Sequence, residues 1–442
     1  MRTSLLVFLV VLVLDALGSG AAAQVVAPTR LSLDEARMRA VEASHRLAEA
    51  RSRAEAAEDA VAVREASDRP IVALQGSYAR TNHVTEFVVP TPTGRSRVLY
   101  PDAPDNYRTR LDLQWPIYSG GRTGALERAA RAEASAASAD VAAARADLRL
   151  EVTRAFWALV TARATVDVLT RSLTRSGAHL RDVGARLKAG VVPPNEVASA
   201  EAQQSRQRML LVEAQNQQAV VSAELARLIG ADLLQPIEPV EVLDLPPAPP
   251  MPLASLVAEA RAMRNERRSL EHRIQAADLQ RTIAEAGRRP TVAVTGGVDY
   301  ARPNLRIFPI AEQWNDSWEA AVAVRWPLWD GDRTRTEAAQ AGRVADAARQ
   351  RLAEFDSVLA LELQQRRLEL DSGPAAIAAA DDAVRAAGEA GRVVTERYRA
   401  GVATETEVLD AEVALLQAEL DRARTFAGVR LAEARLERAL GR

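Results

Sequence analysis

The 442-residue chain contains no cysteine, which excludes disulfides, thiolate metal sites and cysteine nucleophiles. Its four histidines, His45, His83, His179 and His272, are scattered, so neither a histidine metal cluster nor a histidine-based triad is indicated. There is no phosphate-binding glycine loop and no nucleophile motif, so no catalytic residue, metal or cofactor is expected. Aromatic residues make up only 4%, low for a globular enzyme core. Excess charge is absent too: 57 basic and 59 acidic residues leave a net charge of −2, which gives no electrostatic case for nucleic acid. Nearly every base is arginine, with Lys188 the one lysine. Hydrophobic residues reach 48%, which excludes a disordered chain.

One apolar run is present, Leu5 to Leu14, after the basic Met1-Arg2 start and before Ala21-Ala22-Ala23. This is the pattern of a secretory signal over residues 1–23, with Gln24 as the expected mature N-terminus. Ten residues fall short of the ~20 that span a bilayer, which disfavours the alternative of a retained anchor. No cysteine follows, so a lipoprotein anchor is not expected. No other stretch reads as a transmembrane helix, so membrane entry would have to use β-strands.

The chain is written twice. Gln114 to Arg122 matches Arg325 to Arg333, Arg186 to Val191 matches Arg397 to Val402, and Leu225 to Gly230 matches Leu436 to Gly441, all at an offset of 211. Pro70 matches Pro290 at an offset of 220, so the first copy carries a longer loop between Arg80 and Tyr107. This divides the mature chain into repeats at residues 24–235 and 253–442, joined by an extended linker at 236–252 with seven prolines. Each repeat predicts a helix of about 35 residues (Asp34 to Ser67; Ala254 to Gly287), two short strands, a very long helix (Arg122 to Lys188; Arg333 to Arg399), a glycine break, and a return helix of about 35 residues.

The strands alternate. Leu111, Leu113, Trp115 and Ile117 oppose Asp112, Gln114, Pro116 and Tyr118; Trp318, Val322, Val324, Trp326 and Leu328 oppose Glu319, Arg325 and Pro327. Their length and flanking aromatics, Trp115, Tyr118, Trp318, Trp326 and Trp329, fit membrane strands with an interfacial girdle. A soluble half-buried sheet shares the same alternation. Four strands cannot close a barrel, so membrane strands would demand oligomerisation: eight strands from two chains or twelve from three.

In the first long helix, Val152, Leu159, Val166, Leu173, Leu180 and Leu187 recur every seven residues, with Leu148, Ala155, Ala162, Leu169, Ser176 and Val183 four before each. Such a seam specifies a coiled-coil partner, most commonly a purely structural one. In the second long helix Gly373-Pro374 predicts a break or kink. A 67-residue helix is about 100 Å long, and two 35-residue helices end to end match it.

Doubled architecture, paired strands, long helices and a glycine-valine tip followed by acidic residues together resemble the TolC family of outer-membrane efflux ducts, over essentially Gln24 to Gly441. The resemblance implies a mainly α fold with a small β part: a homotrimer with a twelve-stranded barrel in outer-membrane lipid and a helical tunnel in the periplasm. It implies a passive exit duct for tripartite efflux or type I secretion, served by a periplasmic adaptor and an inner-membrane pump. By the same matching, Glu407 and Asp410 occupy acidic pore rings, Glu196 and Tyr398 belong to an inter-helix latch, and the tips Arg186, Leu187, Gly190, Val191, Arg397, Gly401 and Val402 face the adaptor. Ala403 stands where the latch arginine would be. Another reading is a periplasmic coiled-coil adaptor or scaffold without a barrel; the duplication and tryptophan-flanked strands argue against it.

Overall fold

The computed structural model describes residues 29–92, 94–241 and 252–442. The expected signal and most of the proline-rich linker lie outside the described residues. The elements run β1 (Thr29–Leu31), α1 (Leu33–Ala43), α2 (His45–Ala66), β2 (Ile71–Arg80), β3 (Phe87–Pro90), β4 (Ser96–Tyr100), β5 (Asp105–Tyr118), α3 (Arg122–Lys188), α4 (Pro194–Leu228), β6 (Ile237–Pro239), α5 (Leu253–Met263), α6 (Asn265–Glu285), β7 (Thr291–Arg302), β8 (Asn315–Arg325), α7 (Arg333–Arg399) and α8 (Glu405–Leu440). None of the described helices is long and apolar enough to cross a membrane.

α3 and α7 each have 67 residues, about 100 Å. α1, α2 and α4 pack along α3, while α5, α6 and α8 pack along α7. α6 also lies against α3, and α8 against α3, so the repeats are joined along their length. The heptad seam is interior: Leu148, Val152, Ala155, Leu159, Leu169, Ser176 and Val183 are all buried.

The largest core gathers Ala36 and Ala40 of α1, Leu148, Val152, Phe156 and Leu159 of α3, and Leu225, Leu228 and Ile229 at the end of α4. A second gathers Leu256, Ala260, Leu359, Leu363, Ala439 and Leu440. The two are repeat equivalents: Ala36 and Ala40 map onto Leu256 and Ala260 at 220, Leu148 and Val152 onto Leu359 and Leu363 at 211, and Leu228 and Ile229 onto Ala439 and Leu440 at 211. Truncating one such fully buried leucine to alanine costs about 2–5 kcal/mol.

Several expectations are corrected. Each 35-residue first helix is two helices, broken at Ser44 and at Arg264, which are extended at φ −73°, ψ 110° and φ −69°, ψ 117°. At Ser44 the side chain caps the second helix locally, accepting from Leu47 N–H at 3.2 Å, and both breaks share a tertiary contact. The left-handed glycine ending each return helix abuts the break: a Cβ on Gly230 would lie 2.6 Å from Ala43 Cβ, and one on Gly441 would lie 2.9 Å from the Met263 backbone. Conversely, α7 runs unbroken through Gly373-Pro374. Proline there forfeits one backbone hydrogen bond, but Gly373 is buried against Val429 of α8, close enough that a Cβ would meet its methyls at 2.8 Å. Packing along α8 holds that turn helical. The last strand ends at Arg325, so Trp326, Leu328 and Trp329 follow it. The long first-repeat loop contains a hairpin, β3–β4, and β6 pairs in parallel with β1, neither of which the alternation had revealed.

Candidate functional site: the sheet and the helix tips

The four long strands form one antiparallel sheet in the order β2-β5-β7-β8. Register puts Leu74 opposite Leu111, Leu111 opposite Val298, and Val298 opposite Trp318, an apolar row across all four strands. These side chains are exposed in the protomer, Leu74 and Trp318 to 72% each. The other face carries Arg108, Arg110, Asp112, Asp299 and Glu319. Arg108 reaches Asp299 at 2.5 Å; Arg110 reaches Asp299 at 2.7 Å, Asp112 at 2.5 Å and Glu319 at 2.5 Å. Arg110 lies across Gly297, where a Cβ would collide with its guanidinium at 2.5 Å. The sheet is thus sided as a membrane sheet is, apolar on one face and charged on the other. β2 and β8 are its two edges.

Aromatic rings gather at both ends of the apolar face. Away from the helices, Tyr78, Tyr107, Trp314 and Tyr300 touch in series, with centroids 5.0, 6.0 and 4.9 Å apart. Alternation along β2 and β7 places Tyr78 with Val72 and Leu74, and Tyr300 with Val292, Val294 and Val298; only cross-strand register brings them together with Tyr107 and Trp314. At the helix end stand Trp115, Tyr118, Trp326 and Trp329. Alternation predicted Tyr118 on the polar face, but a bulge at Ile117 pairs Tyr118 with Val292 and turns it to the apolar one. Tyr107 and Tyr118 are eleven residues apart, about 36 Å of strand, which a tilt near 45° turns into the roughly 25 Å band of a membrane barrel. Trp115 donates its indole N–H to the carbonyl of Asp68 at 3.2 Å, and its repeat equivalent Trp326 donates to the carbonyl of Arg288 at 3.1 Å. Each ring ties a sheet end to the end of a short helix. Trp329 is 88% exposed, and Trp318 sits within β8, toward its outer end.

At the opposite end of the helices are the two tips. α3 ends with Gly190 at φ +70° and α7 with Gly401 at φ +77°. Val191 N–H donates to Arg186 O at 3.0 Å and Gly190 N–H to Leu187 O at 2.9 Å; Val402 and Gly401 repeat this with Arg397 at 2.9 Å and Tyr398 at 3.0 Å. Both are Schellman caps, so the matched Arg-x-x-x-Gly-Val motif is first of all the chemistry that stops a helix. Val191 and Val402 remain exposed at the apex, Arg397 is exposed beside them, and Arg186 and Leu187 are half-buried.

Tyr398 is buried beneath the tips with Val183 and Val408. Its hydroxyl donates to Glu196 Oε2, at the start of α4, at 2.8 Å. Burial, reinforced by the Glu196 and Glu405 carboxylates, pushes the Tyr398 pKa well up. Arg186 lies over its ring at 4.7 Å and donates to the carbonyls of Tyr398 and Arg399, both at 3.0 Å. The two helical hairpins are therefore tied across the tip. A further pair, absent from the sequence expectations, lies close by: His179 Nε2 is 2.9 Å from both oxygens of Glu405. Glu407 and Asp410 are exposed on the first two turns of α8, three residues apart and so on neighbouring positions of one face. Glu407 also takes part in the helix cap: its N–H donates to Thr404 Oγ1 at 3.3 Å.

A charge-lined, apolar-backed sheet carried on helical hairpins about 100 Å long defines a channel subunit that is β at one end and α along its length. The family model for outer membrane efflux proteins matches residues 37–231 and 256–442, and the chain belongs to that family. Protein CyaE of Bordetella pertussis is 26% identical over 239 residues, which are 54% of this chain and 50% of that protein. The chain thus aligns with about half the length of that curated relative. Among solved structures, the outer membrane protein VceC from Vibrio cholerae superposes with a TM-score of 0.78 at 22% identity, covering 92% of this chain and 96% of that one. The Campylobacter jejuni CmeC outer membrane channel gives 0.78 at 16%, covering 92% and 85%. At these identities the likeness establishes the fold.

Proposed function

We propose that the chain is one third of an outer-membrane exit duct for efflux or secretion. The observation that carries this is the four-stranded sheet: apolar on one face, charged on the other, and ending in two strand edges. In lipid an edge strand leaves its N–H and C=O groups unpaired at a cost of several kcal/mol each, so β8 of one protomer pairs with β2 of the next. Three copies close a twelve-stranded barrel, with the Arg108-Arg110-Asp299-Glu319 face toward the lumen. The signal at residues 1–23 directs export, and the hairpins project into the periplasm as a tunnel.

The tips form the periplasmic entrance. Glu407 and Asp410, each repeated three times about the axis, supply a negative potential that favours cations. Tyr398 and Glu196 hold the entrance closed. Val191 and Val402, with the surrounding tip residues, contact a periplasmic adaptor, through which an inner-membrane pump supplies the energy; the duct itself does no chemistry. Extraction from outer membranes only by detergent, as a heat-modifiable trimer, is the expected result. A soluble monomer in the periplasm would reject the duct.

A further inference from the structure

His179 and Glu405 are both buried, at 9% and 5% exposure, deep inside the tip. They belong to different hairpins: His179 lies on α3 of the first repeat, and Glu405 is the first residue of α8 in the second. A buried carboxylate needs a cation or several donors, and Ala403, close by in the same tip, supplies none.

The charges around His179 come from every helix of the tip. α8 contributes Glu405 and Glu412; one oxygen of Glu412 is buried without a hydrogen-bond partner. α3 contributes Arg175, Asp182 and Arg186; α4 contributes Glu196. α7 contributes Arg399 and Tyr398, whose ring is 5.7 Å from the imidazole. The arginines are already engaged: Arg175 with Glu419 at 2.9 Å, Arg399 with Asp182 at 3.6 Å, and Arg186 with backbone carbonyls. Glu405 is left with His179 as its cation. Burial opposes charge on His179, but the bond to Glu405 and the fields of Glu405, Glu412 and Asp182 outweigh it, so its pKa is raised.

We propose that His179 and Glu405 form a second, proton-dependent latch, which holds α8 against α3 while the imidazole is protonated and releases as the proton leaves. The proposal rests on the entrance being a gate, as read above. The sign follows from the raised pKa. The latch is fully present below the ordinary histidine value of about 6.5 and is lost as pH rises through the raised value. Each unit of elevation corresponds to a tenfold change in the closed-to-open equilibrium, if the pair breaks on opening. His179 and Glu405 are positioning residues: they hold the hairpins together and need not touch the cargo.

The test is single-channel recording of the reconstituted trimer in planar bilayers from about pH 6 to 9, a range bracketing the ordinary histidine pKa and values above it. The wild type is expected to raise its open probability roughly tenfold across this range. His179→Gln and, independently, Glu405→Gln are expected to give a flat profile at the high-pH level. A flat wild-type profile, or an assembled variant that keeps the wild-type slope, overturns the proposal. Tyr398→Phe separates the two levels. If it raises the open probability while the His179 and Glu405 variants keep the wild-type slope, the gate stands and the second latch falls. If it leaves the open probability unchanged, the reading that Tyr398 and Glu196 hold the entrance closed fails.

Discussion

Tyr398 donates its hydroxyl to the Glu196 carboxylate at 2.8 Å, joining the last turn of the second long helix to the first turn of the first return helix. Hydrogen bonds to a charged acceptor contribute about 1.5–3 kcal/mol. Removing this one by Tyr398→Phe keeps the ring under Arg186 and leaves Glu196, which is half-buried, able to find water. We expect the open probability of the trimer in planar bilayers to rise about tenfold, and Glu196→Gln to act in the same direction but more weakly, because an amide still accepts. An open probability equal to wild type in Tyr398→Phe would remove this contact from the gate.

In the proposed trimer, the double substitution Glu407→Ala with Asp410→Ala would take six carboxylates from the entrance. Cation preference, read as the reversal potential in a salt gradient, is expected to fall toward that of the barrel alone. Thr404 keeps its cap to the Glu407 backbone N–H, so the tip should stay folded. Unchanged selectivity would place these carboxylates elsewhere than at the constriction.

The two faces of the sheet make opposite demands. Leu74→Arg puts a charge on the apolar face between its two aromatic ends and should cost about 2–4 kcal/mol per protomer in a bilayer, with loss of the heat-modifiable trimer on gels. Ser77→Arg lies on the same strand but on the charged face, and should leave the trimer intact. Equal tolerance of both would contradict a lipid-facing row.

Arg438 anchors the second repeat to the first. Its guanidinium is buried and bonds both Glu266, at the start of α6, and Asp147 on α3 at 2.6 Å. Arg438→Ala leaves the half-buried Glu266 with Arg264 alone, at 3.1 Å, so the loss is that of a charge-assisted hydrogen bond, about 1.5–3 kcal/mol, read as a lowered midpoint in thermal unfolding followed by circular dichroism. Burial opposes the charge of Glu266, but Arg438 and Arg264 overcome it and lower its pKa. This contribution is therefore present above the ordinary carboxylate value and is lost as pH falls through the depressed one. The wild type should lose stability on acidification more steeply than Arg438→Ala does; parallel profiles would show that the Arg438 pairing is not what depresses this pKa.

Much of this architecture is legible residue by residue. The 211 offset predicts that Trp115 and Trp326 do equivalent work, and each does donate to the end of the preceding short helix. The heptads of α3 predict a buried seam, and Leu148, Ala155, Leu169 and Val183 line it. What was not legible shares one cause: dependence on a contact distant in sequence. Arg264 carries no side-chain cap, whereas Ser44 accepts from Leu47 N–H; what the two breaks share is a glycine, Gly230 or Gly441, arriving from the far end of a return helix. Pro374 carries a local breaker that packing against Val429 overrides. The tyrosine cluster needs the register of three strands, and the bulge that turns Tyr118 outward is invisible to strict alternation.

The sequence alone determined the doubled plan, the lengths of the long and return helices, the sided strands and the glycine caps, because each follows from periodicity or from the conformational demand of single residues. Tertiary structure alone decided which charges meet. Nothing in the spacing of His179 and Glu405, 226 residues apart, marks them as partners. They become a pair because two long hairpins pack side by side in a buried tip, where a lone carboxylate or a lone imidazolium would be too costly to keep.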